Sequence, residues 1–202
     1  FKPHALSQLS AGQPVVIETR PGADGAIVAW RQRDAANPRQ HVLLARRVLA
    51  NGDLDPSWPA GGLVVSSESL VEPTALGVVG DGAGGAYVWW MESNALLVTR
   101  VLTNGTIAPG WTPRGRGLGM LSSAGHRPQV MPDGAGGLWL GWLSGSLLSS
   151  AGNVMHLGPD NTGGGGWGED PVQFGFSYPI PTGRQTLMCG FGPTADGGAW
   201  IV

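Results

Sequence analysis

Short apolar runs bounded by turn residues recur along the chain and read as β-strands. Residues 15–17 (VVI) and 76–79 (LGVV), each following a proline, predict a first strand, and the Asp-Gly or Gly-Gly cluster behind each predicts a tight turn that needs positive φ. A run of glycines, apolar residues and Trp follows, apolar on both faces and so buried on both, which predicts a second strand. Residues 42–48 (VLLARRV), matched by 95–101 (ALLVTRV), predict a third, ended by Asn51-Gly52 and Asn104-Gly105, strong hairpin signals. The block 63–65 (LVV) predicts a fourth.

These runs are copies of one another. Residues 22–30 (GADGAIVAW), 82–90 (GAGGAYVWW), 134–142 (GAGGLWLGW) and 195–202 (ADGGAWIV) align on Gly25, Gly85, Gly137 and Gly198, spaced 60, 52 and 61 residues apart. A second block recurs in phase: 47–52 (RVLANG) with Trp58, then 100–105 (RVLTNG) with Trp111, and a worn copy with Asp160-Asn161 in the turn and Trp167 behind it. Pro14, Pro73 and Pro128 open the units.

Four antiparallel strands repeated at 50 to 60 residues predict an all-β chain of β-propeller blades, about three units plus an unfinished fourth. The units run approximately over 11–70, 71–125, 126–183 and 184–202. The chain opens near a fourth-strand block, 6–10, and stops inside a second strand, so the rest of a longer chain or a neighbouring subunit is expected to complete the ring. A solenoid would need a shorter period, and a sandwich has no reason to repeat its glycines and tryptophans in phase.

Composition agrees with this picture. Of 202 residues, 35 are Gly and 16 Pro, which argues against a helical bundle, and 42% hydrophobic against 13% charged residues argues against a disordered tail. A net charge of −2 gives no long-range attraction for a polyanion, so no nucleic-acid partner bound through phosphate neutralisation is expected, and no apolar segment is long enough to predict membrane insertion. Charge is uneven: residues 1–50 hold seven Lys or Arg against three acids, the remainder five against eleven. The single Cys189 offers no intrachain disulfide and reads as a small buried thiol.

The motif built from Asp-Gly-x-Gly-Gly-Ala, two apolar residues, one variable residue and Trp, followed by apolar-x-Arg-Val, Asn-Gly and Trp, resembles the propeller-forming repeats of large exported bacterial proteins. Residues 81–111 carry it closely, 24–58 well and 133–167 in part. The resemblance implies a propeller fold and an extracellular or cell-surface setting, with the periplasm as the alternative, and implies no reaction.

Candidate chemistry is sparse. The repeated Asp24, Asp81, Asp133 and Asp196 lie beside turn glycines, where Asp accepts backbone amides two residues on; one acid per turn is too few for a calcium loop. His4, His41, His126 and His156 show no metal-ligand spacing, the run 163–166 lacks the Lys and Ser or Thr of a phosphate loop, and no carboxylate pair is selected among Glu18, Glu68, Glu72 and Glu92. Neither a cofactor nor a metal is expected, and the reading leans away from an enzyme.

Most tryptophans recur in phase and read as packing residues. Trp89 has only small counterparts, Ala29 and Gly141, and is a candidate ligand contact or a size-compensating core ring. The connections between second and third strands, expected over 31–41, 91–94 and 143–153, differ most among units, and differing loops on a repeated scaffold are where sites lie. Arg31, Arg33, Arg39 and His41 form the first candidate binding group, for a protein or glycan partner. Arg114 and Arg116, with His126 and Arg127, form a second. The expected function is a non-catalytic binding or structural module; the alternatives are a glycan-active enzyme with catalytic residues partly in further blades, and a repeat subunit of a surface fibre.

Overall fold

A computed structural model describes residues 14–19, 25–34, 36–69, 73, 75–121, 127–146, 149–176, 191–193 and 199–201. The fold is all-β, with antiparallel sheets. Strands β1 (Pro14–Thr19), β2 (Gly25–Arg33), β3 (His41–Leu49) and β4 (Leu63–Ser69) form one four-stranded sheet in chain order. A second contains β5 (Ala75–Gly80), β6 (Ala86–Glu92), β7 (Ala95–Val101) and β8 (Arg116–Met120). A third contains β9 (Gln129–Pro132), β10 (Leu138–Ser146), β11 (Ser149–Leu157) and β12 (Val172–Phe176). A short hairpin, β13 (Phe191–Pro193) with β14 (Ala199–Ile201), follows where the next copy of the repeat is expected. Among the described residues, no helix is long and apolar enough to cross a membrane. Cys189, Asp24, Asp196, His4, His126 and Glu72 lie outside the described residues, as does the block 6–10.

The chain divides into two compact units, Phe1–Ser93 with Leu97–Gly117, and Asn94–Leu96 with Leu118–Val202. In the first, alternation along the strands sets two faces on the first sheet. Ile27, Ala29, Leu43 and Ala45 take one face and pack with Leu76, Val78, Ala86, Val88 and Trp90 of the second sheet. Trp30, Val42 and Leu44 take the other. Strand β6 is buried through Met91, as its continuous apolar run predicts. In the second unit Trp139 and Val154 cluster with Met131 and Trp167.

The strand ladders run further than the sequence pattern suggests. The expected 31–41 connection shrinks to 34–40, because Arg31 to Arg33 pair with Leu43 to His41, and 143–153 is mostly paired strand, from Leu143 opposite Gly152 to Ser146 opposite Ser149. Hydrogen bonding continues a hairpin to its tip whether or not its last residues are apolar, so polarity there does not mark the end of a strand.

The repeat glycine has a different cause from the one its turn suggests. Positive φ falls on Gly82 and Gly84, on Gly134 and Gly136, and, of Gly25, Gly85 and Gly137, on Gly25 alone, at 144°. At Gly25, Gly85 and Gly137 a Cβ would strike the carbonyl of Val48, Val101 or Leu157 on the adjoining strand, so the phase-locked glycine is a point of close backbone approach.

Behind the third strand one hydrogen-bonded device appears three times. Leu49, Leu102 and Gly158 donate their amides to Asp53, Thr106 and Thr162, while Gly52, Gly105 and Asn161 donate to Leu49, Leu102 and Gly158. Asn161 has φ of 72°, filling with an Asn the left-handed position held by Gly52 and Gly105, so the worn copy keeps its geometry. The Asn-Gly turn does not lead straight into the fourth strand as a simple hairpin would. The chain makes an isolated bridge, Val48 with Leu54 and Val101 with Ile107, and then loops through Trp58 or Trp111 before β4 or β8 begins.

Candidate functional site

The two ends of the sheets differ in character. At the end holding the Asp-Gly and Asn-Gly turns, the chemistry repeats. Asp81 Oδ1 accepts the amide of Ala83 at 2.8 Å and Asp133 Oδ1 those of Ala135 at 2.7 Å and Gly137 at 2.8 Å, which is the role expected for these acids. The second oxygen of each meets a side-chain nitrogen from the third strand. Asp81 Oδ2 accepts from Arg100 Nε at 3.1 Å and Nη2 at 2.7 Å, with the carboxylate almost wholly buried. Asp133 Oδ2 lies 2.8 Å from His156 Nε2.

His156 is therefore no isolated histidine. It stacks on Trp139 with ring centroids 4.1 Å apart and planes 6° from parallel, much as Arg100 lies over Tyr87 at 5.7 Å from the ring centre. Its other ring face is closed by the glycine run, since a Cβ on Gly164 would meet three ring atoms at 2.8–3.0 Å. Its Nδ1 is buried without a hydrogen-bond partner. The signal that would have found this pair is phase: Asp133 and His156 stand where Asp81 and Arg100 stand one unit earlier.

Burial of Asp133 acts to raise its pKa, yet the hydrogen bonds from His156, Ala135 and Gly137 prevail and hold it below the ordinary carboxylate range. Asp55 is held low chiefly by the Ser57 hydroxyl and amide, with Arg47 at 3.6 Å adding to this, and Asp160 by the hydroxyl and amide of Thr162. These acids close local turns. Among the described residues no group of three or more His, Cys, Asp or Glu side chains is placed to hold a metal ion.

The opposite end carries the first candidate group. Arg33 and His41 face each other across the last rung of the β2–β3 ladder, and Arg31 opposite Leu43 is one rung in on the same face. Arg31 donates to the Pro73 carbonyl, and Arg33 Nη1 reaches the Pro38 carbonyl at 3.5 Å. The tip between them is ordered by its own bonds. The Asp34 amide donates to Gln40 O, the Gln40 amide to Asn37 O, Asp34 Oδ1 takes the Ala36 amide and Asn37 Oδ1 the Arg39 amide. Arg33 and Arg39 are exposed. In the second sheet the same connection is the two-residue turn Ser93-Asn94, both with positive φ.

Trp89 is buried, 8% exposed, and covers its cross-strand neighbour Gly77, where a Cβ would strike the indole. The pair is a large ring over a vacant position. Arg114, exposed in the turn closed by the Gly115 amide on Thr112 O, and Arg116, the first residue of β8, sit at the opposite end of their sheet from the β6–β7 turn, so they do not extend the Arg31 to His41 group.

Comparison with protein-family models and with curated proteins finds no match to this chain.

Proposed function

We propose that this chain is a β-propeller module of an exported or cell-surface protein, non-catalytic, in which the turn end of the sheets is scaffold and the β2–β3 hairpin end is the contact surface for a protein or glycan partner. The observation that carries this reading is the contrast between the two ends. The acid turns, the Asn-Gly device and its tryptophan recur from unit to unit, as packing that serves every unit equally must, whereas the hairpin tips differ in length and charge.

The propeller part of the proposal rests on the in-phase four-stranded units, on the packing of the first sheet's face against the second, and on the resemblance of the repeat motif to propeller-forming exported proteins. Trp89 serves as the ring that fills space over Gly77, and Arg114 and Arg116 belong to the scaffold end.

Replacing residues 34–40 by the Ser-Asn turn of the second sheet tests the assignment of the ends. The swapped chain should keep its circular dichroism and melting temperature and lose its partner. A panel of glycoside substrates separates the enzyme alternative: turnover that disappears on changing a single carboxylate would overturn the non-catalytic reading.

A further inference from the structure

We propose that the β2–β3 hairpin tip binds a carboxylate-bearing polysaccharide, a polyuronate, through Arg33 and Arg39; this rests on the reading of that end as the contact surface. Residues 31–41 hold three arginines against one aspartate in a chain whose net charge is −2, so the tip is a cationic point on an otherwise acidic molecule. The Oδ1 of that aspartate, Asp34, is engaged by the Ala36 amide within the loop. Arg31 is anchored on the Pro73 carbonyl, Arg33 sits opposite His41 on the last rung of the ladder with its Nη1 3.5 Å from the Pro38 carbonyl, and Arg39 lies in the connection with its amide on Asn37 Oδ1.

The bonds among Asp34, Asn37, Arg39 and Gln40 fix the tip before any ligand arrives, which lowers the ordering cost of binding. A guanidinium presents a planar fork that matches a carboxylate in two parallel hydrogen bonds, and Asn37 and Gln40 add side-chain amides suited to sugar hydroxyls.

The chemistry of the tip also separates ligand classes. A protein partner draws its affinity from buried aromatic and aliphatic anchors, and among the described residues of the tip the exposed apolar ones are Ala36 and Pro38. A single-stranded nucleic acid needs an aromatic platform, and the ring nearest in sequence, Trp30, is 2% exposed with its indole N–H bonded to Gln32. A polymer recognised by charge and hydroxyls alone fits what is there.

Titration calorimetry of the whole chain with polygalacturonate, beside neutral dextran, polyglutamate and single-stranded DNA, tests this. Polygalacturonate should bind and dextran should not, the affinity should fall as salt rises, and the double variant Arg33→Ala with Arg39→Ala should weaken it by about tenfold or more. Arg114→Ala, at the other end, should leave it unchanged. Both altered arginines are exposed, and an unchanged melting temperature certifies the fold of each variant.

Absence of polygalacturonate binding, equal binding by the double variant, or polyglutamate or DNA binding as tightly as the uronate would each overturn the proposal. Should no polymer bind while the 34–40 swap still abolishes capture of a partner identified independently, the contact-surface reading stands and the polyuronate inference falls.

Discussion

The indole N–H of Trp58 donates to the Thr103 carbonyl at 2.7 Å, 45 residues on, and the ring lies against Gly105, where a Cβ would come within 2.8 Å of it. Gly105 is at once the left-handed residue of the Asn-Gly turn in the second copy of the repeat, with φ of 75°, and the floor for the tryptophan of the first copy. One residue thereby serves the local turn and the packing of one repeat on the next. Trp58→Ala should cost about 3–5 kcal/mol of unfolding free energy, and Trp58→Phe, which keeps most of the ring and loses the hydrogen bond, clearly less. Denaturant titration measures both; equal losses would remove the hydrogen bond from the account.

Asp81 and Arg100 form a pair whose carboxylate is 1% exposed, so removing the cation strands a buried charge. Arg100→Met should destabilise by about 3–5 kcal/mol, and adding Asp81→Asn to it should recover part of that loss, because the neutral amide removes the buried charge and keeps an acceptor for the Ala83 amide. A double-mutant cycle reads the difference directly. Additive losses would mean that the two side chains act independently.

Asp133 sets the acid behaviour of the third sheet. Its folded pKa lies below its unfolded one, so the stability it contributes is complete above the unfolded value, near the ordinary carboxylate pKa of about 3.9, and drains away as pH falls toward the folded value. The melting temperatures of the native chain and of Asp133→Asn should differ most above that range and converge below it. A constant gap across the acid range would show that Asp133 titrates alike in both states.

Gly164 is the closure over His156. A methyl group there meets the imidazole, so Gly164→Ala should tilt the ring off Trp139 and cost about 1–3 kcal/mol. The upfield shift that the indole imposes on the His156 ring protons gives a direct readout: it should diminish in the variant, and an unchanged shift would show that the loop yields instead.

Much of this architecture is written in local sequence. Strand order, the acid turns and the three copies of the Asn-Gly device follow from glycine, Asp and Asn at fixed phase, because turn geometry is decided by a residue and its next few neighbours. The third copy shows how far this goes, since Asn161 can take over from glycine only through its tolerance of positive φ. What was hidden depends on partners distant in sequence. Asp133 and His156 are 23 residues apart, and a histidine in the arginine's place erases the similarity that would expose them. Trp89 reads as an odd ring until Gly77 is seen across the ladder. Arg31, Arg33 and His41 read as loop residues, because polarity at a hairpin end carries no information about pairing.

In a propeller the repeated units stack about one common axis. A crystal structure of the whole chain, or of the longer protein if the chain is part of one, measures this most directly. The rotation carrying the first sheet onto the second should also carry the second onto the third, about one axis, with the 34–40 hairpin on an open rim. Two sheets closed face to face as a sandwich, or a third sheet related to the second by a different rotation, would contradict it.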